Sequence, residues 1–267
     1  MQLIDIGINL GHQSYDTDRE AVIRRAVAVG VTQFVVTGSS LQSTAQAIEL
    51  AVQQPSILHA TAGLHPHHAA DLDDSTAAQL EVMARSPQVV AVGECGLDYY
   101  RDLAPRAVQR SAFERQLQIA ARIGKPVFLH QREAHDDFIS ILRPYLPVLP
   151  RAVTHCFTGN RRELIECLEL GLYVGITGWI CDERRGAHLV ELMPLIPRGR
   201  LMIETDGPYL LPRDLRPRPA SRRNEPMHLP HIARTIAAAR AESVEVLADH
   251  TSECARFFFR LNAKNSL

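Results

Sequence analysis

Residues 106–133, RAVQRSAFERQLQIAARIGKPVFLHQRE, hold a helix, its stop and a strand in one unbroken run. Phe113, Leu117 and Ala120 recur four and three residues apart, which is the spacing of one helical face, so 106–123 reads as the longest helix of the chain. Gly124-Lys125-Pro126 closes it, because glycine accepts the left-handed turn at a helix end and proline cannot continue the helix. The apolar run 126–130 then has strand length and ends in His130, with Arg132 two residues on. A helix that returns into an apolar strand whose last residues are ionisable is the repeating unit of a parallel α/β fold.

The same alternation runs from one end of the chain to the other. Strands are expected at 3–8, 32–37, 57–63, 89–94, 126–130, 152–156, 172–177 and 200–205. Between them, Thr17 with Glu20 predicts a capping box for a helix whose face is Val22, Ala26 and Val27 and whose stop is Gly30. Asn160 with Glu163 repeats that signal before Leu164, Cys167 and Leu168, with Gly171 as the stop. Eight strands with interleaved helices predict a (β/α)8 TIM barrel, for which about 250 residues is an ordinary size. The rival doubly wound sheet lacks its G-x-G-x-x-G turn after the first strand. Residues 1–267 are therefore expected to form a single domain, with the Pro- and Arg-rich stretch 208–226 as a long loop after strand eight.

Composition excludes several classes. Hydrophobic residues make up 46% and charged residues 22%, and no apolar run approaches the roughly 20 residues of a membrane span. The N-terminal segment has no basic region leading to a small-residue cleavage site, so a cytoplasmic protein without a membrane partner is expected. Cys95, Cys156, Cys167, Cys181 and Cys254 are odd in number and contain no C-x-x-C pair, which argues for free thiols over a disulfide framework or a thiolate zinc cage. A net charge of −1 gives no global attraction for nucleic acid, so a polyanion needs a local basic patch or a metal ion.

In such a barrel the catalytic groups lie at the C-terminal ends of the strands. Here those ends carry His65 and His67, Glu94 and Asp98, His130 and Arg132, His155, and Glu204 and Asp206. A lone strand-end histidine is usually a hydrogen-bonded structural residue, and a lone aspartate often caps the next helix. Capping does not, however, favour histidine at three apolar strand ends of one sheet. Imidazole and carboxylate together match the ligands of Zn²⁺, Mn²⁺ or Mg²⁺, and a bound cation makes water, with its pKa near about 15.7, a usable nucleophile. Metal-assisted hydrolysis is the expected chemistry, with Asp206 as the candidate general base. No G-x-S-x-G elbow occurs, and Cys95 and Cys156 are expected to face away from Glu94 and His155 as core thiols.

The motifs GLHPH, VGECGLDYY, PVFLHQREA, THCFTG, GITG and IETDGPYLLPR…RRNEP follow the order and spacing seen in the TatD family of metal-dependent deoxyribonucleases, within the amidohydrolase-like barrels, which this chain resembles from Asp5 to about Phe258. The resemblance implies a magnesium-dependent 3′–5′ exonuclease acting on the 3′ ends of single-stranded DNA or RNA, with a part in DNA repair or nucleic-acid turnover. It implies Glu94, His130, His155 and Asp206 as metal ligands, with Glu94 and Asp206 catalytic, and His65 beside the substrate phosphate. Arg132 lies in a motif where a cation could meet a phosphate oxygen. Mg²⁺ is the expected ion, with Mn²⁺ or Zn²⁺ as substitutes, and a monomer is expected. Most family members open with His-x-His on strand one. Here those positions are Gly7 and Asn9, which leaves the second metal with Asp206, a shared Glu94 oxygen and at best the Asn9 carbonyl, and Asn9 is otherwise expected to contact substrate. A second ion is therefore expected to arrive with substrate or not at all.

Arg213, Arg216, Arg218, Arg222 and Arg223 on the loop after strand eight offer a phosphate track, and Arg222 and Arg223 are the substrate-binding candidates among them; the competing reading pairs these two with carboxylates such as Glu225. Tyr99, Tyr100, Phe157, Trp179 and Tyr209 could stack a terminal base. Two other functions fit the same residues: hydrolysis of a small amide or ester, and a non-catalytic role in protein export quality control.

Overall fold

In the computed structural model, which describes residues 1–262, the eight strands are β1 Leu3–Ile8, β2 Val31–Val36, β3 Leu58–Ala62, β4 Val89–Asp98, β5 Val127–Arg132, β6 Ala152–Thr154, β7 Tyr173–Ile176 and β8 Leu201–Ile203. They are joined in one sheet in that order, with helices between them, in the manner of a (β/α)8 barrel. The helices are α1 Arg19–Ala28, α2 Leu41–Gln53, α3 Asp74–Ala84, α4 Arg106–Ile123, α5 His135–Leu142, α6 Arg161–Glu169, α7 Ala187–Leu192, α8 Leu229–Ala239 and α9 Val244–Phe259. By its internal contacts the chain divides into two compact units: residues 1–35, 156–164 and the described residues from 174 on form the first, and 36–155 with 165–173 the second. Residues 263–267 of the expected 1–267 domain lie outside the described residues.

The second unit is built on β3 to β6. Its strands pair in parallel, with Val127, Phe128 and Leu129 of β5 opposite Ala152, Val153 and Thr154 of β6. The expected helix at 106–123 is α4, which buries Phe113, Leu117, Ile119 and Ala120, and Gly124 ends it in the left-handed conformation at φ 67°. Each fully buried Phe or Leu contributes roughly 1.5–3 kcal/mol. Lys125 has a role that its stop position did not suggest: its ammonium donates to the carbonyls of Ala84, Ser86 and Val89 at 2.6, 2.9 and 2.6 Å. It thereby ties the end of α3 to the start of β4.

Strand β4 runs four residues past its expected end at 94. Val92 pairs with Val127 but Cys95 with Leu129, so one extra residue of β4 bulges out at Gly93–Glu94. Gly93 and Gly96 adopt φ 138° and 146°, and a Cβ on either would collide with the carbonyl oxygen of Phe128 or His130. Beyond the bulge, Gly96, Leu97 and Asp98 pair with His130, Gln131 and Arg132.

In the first unit β1 is buried along its whole length, and β7 pairs with β8 through Val174–Leu201, Gly175–Met202 and Ile176–Ile203. Past the strand ends, Asp206 N–H donates to the Gly7 carbonyl at 2.8 Å and Asn9 N–H to the Gly207 carbonyl at 2.9 Å. The first and last strands therefore run side by side. The capping box expected at Thr17 and Glu20 does not form: α1 begins after Asp18, whose carboxylate makes no cap bond. That carboxylate is taken by Arg223 at 2.7 and 2.8 Å and by Arg25 at 3.1 Å. The second box does form, with Glu163 N–H donating to Asn160 Oδ1 and Asn160 N–H to Glu163 Oε2. No regular element interrupts residues 204–225, in keeping with the expected long loop.

Candidate metal and active site

Glu94, at the bulge of β4, is buried, and one of its oxygens is the centre of the second unit's polar cluster. Glu94 Oε1 lies 2.9 Å from His130 Nδ1, 2.8 Å from His155 Nε2 and 3.4 Å from His65 Nε2. Four residues expected to be functional are thus brought together by the ends of β3, β4, β5 and β6. The rings brace one another: His65 stands edge-on to His130 with centroids 4.4 Å apart, and His155 stacks on Phe128 at 4.5 Å. His65 accepts the His67 N–H at Nδ1, which turns its Nε2 toward Glu94.

A second carboxylate adjoins the first. Asp98 Oδ2 lies 3.0 Å from His67 Nε2 and 3.3 Å from His130 Nε2, and the latter contact is off the line of a hydrogen bond. His130 therefore stands between two carboxylates, and two overlapping sets, His65–Glu94–His130 and His65–His67–Asp98, each bring three ligand atoms within 4.8 Å of one another. Burial would raise the Glu94 carboxyl, but the imidazoles of His155, His65 and His130 outweigh it and hold it well below the usual carboxylate range. Asp98 is likewise held low against burial by His130, His67 and the Arg101 N–H. Burial pushes His65 down to about 3, whereas in His130 the two carboxylates overcome burial and raise the imidazole.

This arrangement fits a divalent cation. Two buried carboxylates flank a single imidazole, and His130 Nε2 is buried without a hydrogen bond. The donors are all nitrogen and oxygen, which suits Mg²⁺, Mn²⁺ or Zn²⁺. Glu94, His130 and His155 would hold the ion, with His65 beside it.

Gln109 and Gln116, two buried residues of α4, support the cluster and escape a reading by motif. Gln109 Oε1 accepts the Asp98 N–H at 2.9 Å, and its amide donates to the carbonyls of Asp98 and Ala104. Gln116 binds both the N–H and the carbonyl of Leu64, at 2.8 and 3.0 Å, and so fixes the turn that carries His65 and His67. The available signal is polar side chains seven residues apart on the apolar face of a helix. Arg132 lies over the exposed Tyr100 ring, 3.8 Å from its centroid.

In the first unit, Asp206 takes φ 54° just past β8, and Asn9 Nδ2 donates to its Oδ1 at 3.2 Å and to the Gly207 carbonyl at 3.2 Å. Asn9 thus presents its amide N–H, where a carbonyl ligand was expected. Next to Asp206, Thr205 is clamped by the buried Asp5, which accepts its N–H at 2.9 Å and its hydroxyl at 2.5 Å. Burial pushes the Asp5 carboxyl up to about 7 against these bonds. Glu204 is fully buried and accepts the Cys156 N–H. Cys95 is buried as expected, but Cys156 is only half-buried, at φ 45° with its Sγ 3.5 Å from Thr177 Oγ1. All five cysteines are free. Arg222 is exposed, whereas Arg223 is bound by Asp18 and by Glu225 at 2.6 Å. Among the aromatic candidates Phe157 is buried, and Trp179 lies under Arg185. Among the described residues no helix is long and apolar enough to cross a membrane.

Comparison with known proteins gives consistent matches over the length of the chain. The family model described as "TatD related DNase" matches residues 4–260. A protein of Erwinia billingiae (strain Eb661) named "3'-5' ssDNA/RNA exonuclease TatD" is 52% identical over 261 residues, 98% of this chain and 100% of that protein. Among solved structures, the TatD homologue YjjV of Escherichia coli K12 superposes with a TM-score of 0.88 at 27% identity, covering 97% of this chain and 98% of that one. An uncharacterised amidohydrolase from Saccharomyces cerevisiae, at 21% identity and TM-score 0.85 over 97% of this chain and all of that one, shares the fold.

Proposed function

The chain belongs to the TatD-related DNase family, and from that membership we propose that it is a metal-dependent exonuclease that shortens single-stranded DNA and RNA from the 3′ end. The observation that carries this reading is the end-to-end match to a relative named for that activity. The Glu94 cluster supports it with the means for hydrolysis. Mg²⁺ is the proposed ion, and a divalent cation held there would polarise a phosphodiester oxygen and lower the pKa of water from about 15.7 toward neutrality.

The protein's own groups then have separate tasks. Glu94 and Asp98 supply the negative charge, since the surrounding imidazoles hold both carboxyls below the usual carboxylate range against burial. His65 remains neutral and, with Nδ1 accepting the His67 N–H, offers Nε2–H as a donor without adding positive charge. Asp206 is assigned the proton taken from the attacking water, with its carboxylate oriented by the Asn9 amide. Arg132 and Arg222 are assigned to substrate phosphates, as is His65. Arg223 is withdrawn from that role by its bonds to Asp18 and Glu225. The process served is nucleic-acid turnover, of which DNA repair is one form. A monomer working as one domain is the proposed unit, and the single eight-stranded sheet supports the one-domain reading.

The test is gel analysis of a single strand labelled at its 3′ or 5′ end, incubated with EDTA, Mg²⁺ or Mn²⁺. With Mg²⁺ the 5′-labelled strand is expected to shorten stepwise, while the 3′ label is released at once as a mononucleotide. Shortening from the 5′ end, or no shortening with any ion, contradicts the reading.

A further inference from the structure

Away from the Glu94 cluster, the first unit brings together another set of metal-binding atoms. Cys181 Sγ, an Asp214 carboxylate oxygen and a His231 ring nitrogen all lie within 4.8 Å of one another. They come from three separate pieces of chain: Cys181 ends the 3-10 turn Gly178–Cys181 after β7, Asp214 lies on the loop after β8, and His231 sits in the first turn of α8. His231 Nε2 is 2.7 Å from Asp214 Oδ1. Cys181 is 3% exposed, and its Sγ is 3.5 Å from Thr235 Oγ1, one turn further along α8. Arg213, next to Asp214, is engaged by Asp182 and Glu183.

An aspartate–histidine pair at a surface needs no sulfur, and a sulfur in the core needs no ion pair. Their convergence has a simple chemical explanation, since thiolate, imidazole and carboxylate are the three protein ligands of Zn²⁺. Ligand distances of about 2.0–2.3 Å place the donors of a tetrahedral ion up to roughly 4 Å apart, so small side-chain movements from the observed positions would complete the set. We propose that Cys181, Asp214 and His231 bind one Zn²⁺ ion, with water in the fourth position. On binding, the Cys181 Sγ–H bond breaks, its proton passes to solvent and the sulfur forms the bond to zinc. His231 binds as neutral imidazole and Asp214 as carboxylate. The ion would fasten the basic loop after β8 to the turn after β7 and to α8, all within the first unit. This site shares no residue with the Glu94 cluster and does not depend on the exonuclease reading.

Cobalt distinguishes the two sites, because sulfur ligation gives a near-ultraviolet charge-transfer absorption that nitrogen and oxygen donors do not. Co²⁺ alone is added to the metal-free full chain and to its variants, with folding followed by circular dichroism. The absorption is expected in the native chain and in Glu94→Gln, and is expected to be lost in Cys181→Ser. If Cys181→Ser does not fold, Asp214→Ala, at an exposed position, decides: cobalt affinity read from the same absorption should fall at least about tenfold. Zn²⁺ should raise the Tm of Glu94→Gln but not that of the Glu94→Gln, Cys181→Ser double variant. Absence of the absorption in the native chain, its persistence in Cys181→Ser, its loss in Glu94→Gln, or an unchanged affinity in Asp214→Ala would overturn the proposal.

Discussion

Asn9 donates its side-chain amide to Asp206 across 3.2 Å, joining the end of the first strand to the end of the last. The first strand thus brings no charge of its own to Asp206, and its contribution is to orient that carboxylate. A hydrogen bond to an ionised group contributes about 1.5–3 kcal/mol. Asn9→Ala is therefore expected to lower kcat about 10- to 100-fold with little change in KM. Asn9→Asp sets a like charge beside Asp206 and should move the acidic limb of the kcat–pH profile upward. An unchanged pH profile in Asn9→Asp would separate Asp206 from the proton-accepting role.

Gln109 acts at one remove from the cluster. Gln109→Leu leaves the Asp98 N–H and the carbonyls of Asp98 and Ala104 without their buried partner, and each such loss costs about 1–3 kcal/mol. Denaturant unfolding should show that loss, and calorimetry should show Mn²⁺ affinity falling by about tenfold although no ligand has changed. Native affinity in a destabilised protein would confine Gln109 to a structural role.

Arg222 and Arg223 adjoin in sequence but differ in surroundings. Arg222→Ala should raise the KM for a single strand and reduce the log–log salt slope by about 0.7, the share of one phosphate contact, at unchanged Tm. Arg223→Ala should instead lower the Tm and leave the salt slope alone. The reverse pattern would return Arg223 to the substrate track.

Asp18 reports the same pairing through pH. Hydrogen bonds from Arg223 and Arg25, with their positive charge, bring its carboxyl down to about 2 from an unfolded value of 3.8. A carboxyl with a depressed folded pKa stabilises the fold above its unfolded pKa, and that contribution is lost as pH falls from about 4 toward 2. NMR titration of Asp18 should show the low midpoint, and Arg223→Gln should return it toward about 3.9. A midpoint near 4 in the native chain would refute the pairing in solution.

Much of the barrel could be read from period and punctuation, since the eight expected strands lie within two residues of the observed ones except where β4 continues to Asp98. That exception is instructive. Continuation past Glu94 depends on a bulge and on glycines at 93 and 96 meeting the carbonyls of another strand. His65, Glu94, His130 and His155 were legible because ionisable residues at apolar strand ends are costly unless they are used. The tasks of Gln109 and Gln116 were not, because a buried glutamine is defined by partners that only the fold supplies. Asp18 illustrates the same limit. A reading of nearby residues makes the 17–20 segment a capping box, yet Asp18 is bound by Arg223, 205 residues away.

The central claim is that the Glu94 cluster holds the one cation the resting protein binds tightly through nitrogen and oxygen donors. Calorimetric titration of Mn²⁺ into metal-free protein, in a Cys181→Ser background that removes sulfur ligation, tests it. One tight site is expected, abolished by Glu94→Gln and retained in Asp206→Asn, with nuclease activity lost in both. A tight site that survives Glu94→Gln, or two tight sites in the free protein, would contradict it.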